Sequence, residues 1–375
     1  MRKGICCIVL SLQDKKPVRK FQTMTYKKFS NMNRKDGLEE LGKRILNNMQ
    51  VTGEAIRFCN NNNYNYRLSS DLFPLITYDK ARVRLEDLPN YKQISDTILD
   101  IRDYLIDHPV RLSSHPSEFN VLATEKKDAL NRTVNELNFT GWFLTQLGCP
   151  LDYSSPINIH INNSKGDFDD IAKRFVDNLG SLTVDARKRL VVENDDKGKC
   201  WSVRKLTRHL YPISLIPITF DYLHHKCHPD DMIEKDAFGL CRDSWRGYRP
   251  LFHYSESREG KNPRAHADYV KQLPNTYGLE EIDIDFEFMR ESFFGMNWSS
   301  PIIAAFGVVL GAVYMLSLYK RTMFGEITNP KIKKITDIGL HEVCILLVLC
   351  IFIVFIGIQP EYILSIFRLG LVGIL

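Results

Sequence analysis

LVVE, residues 190–193, is an apolar, β-branched run that ends without transition in a carboxylate. A run of this kind reads as a strand buried on both faces, and the polar group at its carboxyl end sits where the loops begin. The chain repeats the pattern. VRLSSH ends at His115, INIH at His160, IPITFD at Asp221, LFH at His253 and IDIDFE at Glu287. Six such ends imply one rim. GICCIVL near the start and YRLSS, residues 66–70, running into Asp71, raise the strand count to eight. Between the strands lie stretches with helical spacing of apolar residues: Leu38, Leu41, Ile45 and Met49, then Ile94, Ile98, Ile101 and Leu105, then Ile171, Phe175 and Leu179. Strand and helix in alternation predict an α/β fold, a (β/α)₈ TIM barrel over residues 1–298, whose site-forming groups converge on the carboxyl face.

Three imidazoles and three carboxylates on one rim would repel or stay unpaired unless a cation joined them, so a metal centre is expected. Other candidates lie close by. Asp221 and His224 are three residues apart, a spacing that one helical turn aims in one direction, with His225 and His228 as nearby company. His266 follows His253 across a loop rich in Ser, Arg, Gly, Lys and Pro. In ENDD, residues 193–196, Glu193 is placed to bridge two ions while Asp195 and Asp196 orient neighbouring groups. Mixed imidazole and oxygen ligands suit zinc, manganese or iron, and no Cys stands at zinc-ribbon spacing. A two-ion site favours phosphodiester hydrolysis. Metal-dependent sugar isomerisation uses the same ligand types on the same scaffold, and spacing alone leaves both readings open.

YRLSSDLFPL, LSSHPSEFNVL, RLVVENDDK, FDYLHHKCHP and FHYSESREGKNPRAHADYV resemble, in this order, the motif series of the UV damage endonuclease family. The likeness runs from GICCIVL to IDIDFEFM. It implies a barrel with a cluster of divalent metal ions, two or three in number and manganese in particular, with zinc or magnesium as alternatives. It also implies damaged double-stranded DNA as the substrate, nicked immediately 5′ to ultraviolet photoproducts and some other lesions to leave a 3′ hydroxyl. Carried over residue by residue, the resemblance gives His115, His160 and Glu193 around one ion. Glu193 then bridges to a second ion held by Asp221, His253 and Glu287, and His224 and His266 hold a third. Glu193, Asp221 and Glu287 are the expected catalytic carboxylates.

The chain departs from that pattern in three places. Two residues before the His of strand seven, where compared members carry a carboxylated Lys ligand, stands Leu251. After the His-Pro of strand three, where the family shows a Gly-Gln-aromatic run that probes the duplex, stand Ser117, Glu118 and Phe119. Phe119 retains the capacity to wedge into a base stack, whereas Glu118 repels phosphate unless a cation pairs with it. Ile5 and Val9 occupy first-strand positions that carry Tyr and Asn in bacterial members. Leu251 and Glu118 leave a second reading open: a barrel that senses damaged DNA at a membrane without cutting it.

A net charge of +5 over 375 residues does not identify a nucleic-acid binder, and before residue 300 the basic and acidic residues nearly balance at 44 to 41. DNA contact must therefore be local. Lys226, Arg242, Arg246, Arg249, Arg258, Lys261 and Arg264, interleaved with Trp245, Tyr248 and Tyr254, form a candidate phosphate and base-stacking surface near the rim. Arg258 and Lys261 are the preferred phosphate contacts.

The composition changes at residue 299. Residues 301–319 carry no charge, a run long enough to cross a hydrocarbon core, and residues 343–358 form a second, shorter apolar run. Region 299–375 is thus expected to hold two candidate transmembrane helices and to associate with a membrane, with the barrel on the cytoplasmic or nucleoplasmic side. No protein partner is indicated. The amino-terminal apolar core is short and runs into Asp14, Lys15 and Lys16, which favours a first barrel strand over a signal peptide. Nine cysteines, two of them adjacent, do not read as a disulfide framework and suggest a reducing compartment.

Overall fold

A computed structural model of the chain describes residues 1–9, 12, 20–267, 270–287, 317, 339–341 and 347. The chain divides into two compact units, Met1–Gly295 and Met296–Leu375. The first is an eight-stranded parallel barrel. Its strands are β1 (Arg2–Cys6), β2 (Asn65–Leu68), β3 (Leu112–Ser114), β4 (Ile157–Ile159), β5 (Leu190–Glu193), β6 (Ile218–Thr219), β7 (Leu251–Tyr254) and β8 (Asp283–Phe286). They pair in the order β6-β5-β4-β3-β2-β1-β8-β7. A parallel bridge between Asp221 and His253 completes the ring, with the His253 N–H donating to the Phe220 carbonyl at 3.0 Å. Helices alternate with the strands, as the apolar spacing predicts: Arg34–Asn61 buries Leu41, Ile45 and Met49, Tyr91–Asp107 buries Ile94, Ile98 and Ile101, and Phe168–Leu179 buries Ile171 and Phe175.

Each strand presents opposite faces at alternate residues. Tyr66, Leu112, Ile157, Ile159, Val192, Phe252 and Ile284 form one set, all buried and all apolar. The other set points into the barrel and is largely polar: Arg67, Ser113, Asn158, Glu193, His253 and Asp285, also buried, with Val191 and Leu251 as apolar members. Hydrogen bonds crossing the interior fix this assignment. Ser113 Oγ on β3 donates to Asp285 Oδ2 on β8 at 2.9 Å, although three ladder steps separate those strands. The barrel thus has an apolar jacket and a largely polar, hydrogen-bonded interior, and six of its eight strands close on a His or carboxylate. Gly4 on β1 permits one of these contacts, because a Cβ there would collide with the Asp285 carboxylate.

No helix among the described residues is long and apolar enough to cross a membrane. The two apolar runs at 301–319 and 343–358 lie outside the described residues, apart from Ser317 and Leu347.

Candidate metal centre

His115, His160, Asp221 and Glu287 each stand one or two residues past the last residue of their strand, Glu193 is the last residue of β5 and His253 the next to last of β7. All six open onto the carboxyl face. Glu193 is the hub. Its Oε2 lies 3.1 Å from His115 Nε2 and 2.9 Å from His253 Nδ1, and its Oε1 lies 3.2 Å from His224 Nδ1 and 3.8 Å from His160 Nε2. Asn158 Nδ2 also donates to Oε2. The ligand atoms form two sets, His115–Glu193–His253 and His160–Glu193–His224, each with all atoms within 4.8 Å of one another.

This grouping differs from the one carried over by resemblance, which joins His115 to His160 and places His253 with Asp221 and Glu287. The physical reason is local: a carboxylate has two oxygens, and each draws the two imidazoles nearest to it. Asp221 acts first as a cap. Its Oδ1 accepts the His224 N–H at 2.7 Å and starts the short helix Tyr222–Cys227, which turns the His224 ring toward Glu193. Glu287 is held elsewhere, with Oε1 2.6 Å from Arg67 Nη2 and Oε2 2.8 Å from His266 Nδ1. His224 and His266 face each other with ring centroids 6.1 Å apart. Leu251, two residues before His253 on the same strand, is buried and offers no ligand atom.

The donor set fits a cation. His160 faces an acceptor on both sides, Asp195 Oδ1 at 3.0 Å from Nδ1 and Glu193 Oε1 from Nε2. His115 does the same, with the Pro116 carbonyl 3.1 Å from Nδ1. A neutral imidazole has one N–H, so each ring must either be protonated or share its second nitrogen with a cation. Four imidazoliums around one buried carboxylate would repel one another. In addition, Asp221 Oδ2 is buried with no hydrogen-bond partner, an acceptor that a cation satisfies. The barrel interior moves these groups in opposite directions. Burial pushes the Glu193 carboxyl up, but His253 and His160 with hydrogen bonds from His115 and His224 outweigh it and hold it well below the usual carboxylate range. Burial lowers His115, while in His224 burial is overcome by Asp221 and Glu193, which raise it well above the ordinary imidazole value. Burial raises Asp221.

Three residues that the strand-end pattern does not mark support the centre. Asn158 anchors Glu193, Arg67 anchors Glu287, and Asn194 exchanges hydrogen bonds with the Asp221 backbone at 2.9 and 3.1 Å. His225 is buried against Phe220, and neither it nor His228 belongs to either ligand set.

The family profile described as UV-endonuclease UvdE matches residues 1–291. The chain belongs to that family. A UV DNA damage endonuclease of Bacillus pumilus (strain SAFR-032) is 27% identical over 300 residues, covering 78% of this chain and 89% of the relative. One of Bacillus anthracis (strain A0248) is 26% identical over 303 residues, covering 78% and 90%. The solved structure of SacUVDE matches 78% of this chain and 93% of its own, with a TM-score of 0.64 and 24% identity, and supports the barrel fold. Membership makes this chain a UV damage endonuclease family member, a DNA repair nuclease, with DNA as substrate.

Around the centre, Phe119 is 83% exposed on the loop after β3, next to the exposed Glu118, whose backbone carbonyl accepts from Asn162 Nδ2 at 2.7 Å. Arg258 and Lys261 are exposed on a hairpin after β7 pinned by the Ser257–His266 bridge. Tyr254 is half-buried and packs edge-on against Tyr222 and Phe286. The other basic residues divide. Lys226 and Arg264 lie on the carboxyl face, but Arg242, Arg246 and Arg249 do not: Arg249 Nε pairs with Asp283, the first residue of β8, at 2.8 Å. Trp245 is fully buried, with Nε1 donating to the Ile218 carbonyl at the start of β6. Helix Glu234–Ser244 carries the chain back to the amino end, so this part of the expected rim surface belongs to the opposite face.

Proposed function

We propose that this chain nicks duplex DNA immediately 5′ to ultraviolet photoproducts and related lesions, with a cluster of divalent cations. Manganese is the first choice, zinc or magnesium the alternatives. The observation that carries the reading is Glu193, approached by four imidazoles at the barrel mouth. Bound there, cations would supply a nucleophile at neutral pH and neutralise charge on the scissile phosphate. His115 and His253 hold one side of the shared carboxylate, His160 and His224 the other, and Asp221 supplies Oδ2. The Pro116 carbonyl and Asp195 fix the ring orientations of His115 and His160, as outer partners of ligating imidazoles do. His266 and Glu287 complete the mouth and are the place of a third ion, for which Leu251 gives no ligand.

Phe119 is the wedge that tests the base stack, since its exposed ring has no packing role to lose. Arg258 and Lys261 hold backbone phosphates, and Tyr254 backs the hairpin that carries them. Residues 301–319 and 343–358 are read as a membrane tether, tested by fractionating the full chain against one ending before residue 299.

A second reading, a damaged-DNA sensor that binds without cutting, is favoured by one observation: the buried, apolar Leu251 at a position aligned with the ligands. Turnover separates the two. The 375-residue chain with manganese and an end-labelled duplex carrying one photoproduct should convert substrate over many cycles. Tight binding with no product would favour the sensor.

A further inference from the structure

The amino end of the barrel, opposite the Glu193 cluster, opens into a cavity of about 750 Å³. Its floor holds Arg2 and Asp283, the first residues of β1 and β8 and register partners there, with Arg111 and Arg249 just ahead of β3 and β7. Three guanidinium groups thus share the lining with one carboxylate, an excess of two positive side-chain charges. The wall above the floor is apolar, from Leu105 and Val110 on the approach to β3 and Leu147 and Pro150 on the approach to β4.

The three arginines do different things. Arg111 donates all five of its N–H groups, to the carbonyls of Ser154, Pro250, Tyr153 and Arg249 and to Asp283 Oδ2 at 3.0 Å. It ties the loops before β4 and β7 to the start of β8, so the cavity is preformed. Arg249 donates Nε to Asp283 Oδ1 at 2.8 Å and Nη2 to the Ile282 carbonyl at 3.3 Å, which leaves Nη1 without a partner among the described residues. The Arg2 guanidinium, on the other side of Asp283, forms no ion pair or hydrogen bond among the described residues. A preformed cavity with an apolar wall and a few convergent polar groups is the usual form of a small-molecule site. Guanidinium groups match oxyanions, and a terminal phosphate carries about −1.5 to −2 charge at pH 7, the amount that the lining leaves unneutralised. A carboxylate or a phosphodiester, with a single charge, leaves one cation unmatched.

We infer that the amino-end cavity binds a phosphomonoester, with its phosphate between Arg2 and Arg249 Nη1 and its apolar portion on Leu105, Val110, Leu147 and Pro150. A free nucleotide and a lipid headgroup both present that group. The site stands at the other end of the barrel from the metal centre and does not depend on the nuclease reading.

Calorimetry on the full, metal-free chain tests the site with inorganic phosphate, a nucleoside 5′-monophosphate and a short-chain phosphatidic acid, beside dimethyl phosphate as the singly charged control. Inorganic phosphate should bind at millimolar concentration or below, and dimethyl phosphate at least about tenfold more weakly. Binding should tighten as pH rises through about 6, where the phosphate gains its second charge. No His lines the cavity among the described residues, Asp283 is held by two guanidinium groups, and burial pushes the Cys149 thiol up to about 11, so the ligand supplies that change. Arg2→Gln removes an unpaired group and should weaken phosphate at least about tenfold with the fold unchanged. Arg249→Lys, which keeps the charge and loses the free Nη1, should weaken it by less, and Lys226→Ala on the carboxyl face should change nothing. Whichever ester binds more tightly than inorganic phosphate names the source, nucleotide or lipid headgroup. Inorganic phosphate bound as tightly as both esters would overturn the role of the apolar wall. No binding, equal binding of dimethyl phosphate, or binding that survives Arg2→Gln but is lost in Lys226→Ala would each overturn the assignment.

Discussion

Arg67 Nη2 on β2 lies 2.6 Å from Glu287 Oε1 past the end of β8, so a guanidinium only 8% exposed clamps one of the mouth carboxylates. Burial would push Glu287 up, but Arg67 and then His266 hold it well below the usual carboxylate range. A carboxyl lowered on folding contributes stability above its unfolded value, and that contribution is lost as pH falls through the folded value. Arg67→Met leaves Glu287 buried without its guanidinium. In metal-free protein at pH 7 this should cost roughly 3–5 kcal/mol by urea denaturation, with the gap to the parent narrowing in acid. A cost under about 1 kcal/mol at pH 7 would show that the pair contributes little beyond a hydrophobic isostere.

Cation binding should become tighter with rising pH. Burial opposes charge on His160, His224 and His253, yet Glu193, together with Asp221 beside His224, raises all three above the ordinary imidazole value. Rings with raised values keep their protons further toward neutral pH in the metal-free protein, and a ligand nitrogen must shed its proton to bind. Manganese titrations in buffers of different ionisation enthalpy should reveal proton release at pH 7 that declines as pH rises. A pH-independent affinity with no released protons would contradict the assignment.

Asp195→Asn removes the charge that orients His160 through a 3.0 Å contact. Metal affinity or nicking rate should fall about 10- to 100-fold, with little change in the fold. Metal content after dialysis, read beside activity, separates a weakened site from a misplaced ring.

Gly4→Ala should destabilise the barrel, because the added methyl meets the Asp285 carboxylate, which is itself held by Ser113. Overpacking of this sort costs about 1–3 kcal/mol, measurable as a lower denaturation midpoint with an unchanged slope. An unchanged midpoint would mean that β1 and β8 separate to make room.

The barrel and the rim of its carboxyl face were legible because the strands have an apolar outer face, so a His or carboxylate closing six of the runs stood out. His115, His160, Glu193, Asp221, His253 and Glu287 all open on one mouth for that reason. Arg67, Ser113 and Asn158 escaped notice although they sit on the same inward face. A lone polar residue inside a short strand has no periodic partner until the neighbouring strands are in register. Which Glu193 oxygen each ring faces was also beyond sequence, since it depends on the spatial order of the strands. Arg242, Arg246 and Arg249 were misplaced for a simpler reason. They follow a helix and precede β7, and in an alternating barrel such residues return to the amino end.

The most direct test of the central claim compares the full chain with its Glu193→Gln variant, which keeps the shape of the hub and removes its charge. Both are incubated with manganese and an end-labelled duplex bearing one defined photoproduct, beside an undamaged duplex, and the product termini are mapped. The account predicts a single cut directly 5′ to the photoproduct that leaves a 3′ hydroxyl, with no cut in undamaged DNA and at least about a thousandfold loss in the variant. Equal cutting by Glu193→Gln, or cutting that ignores the lesion, would contradict it.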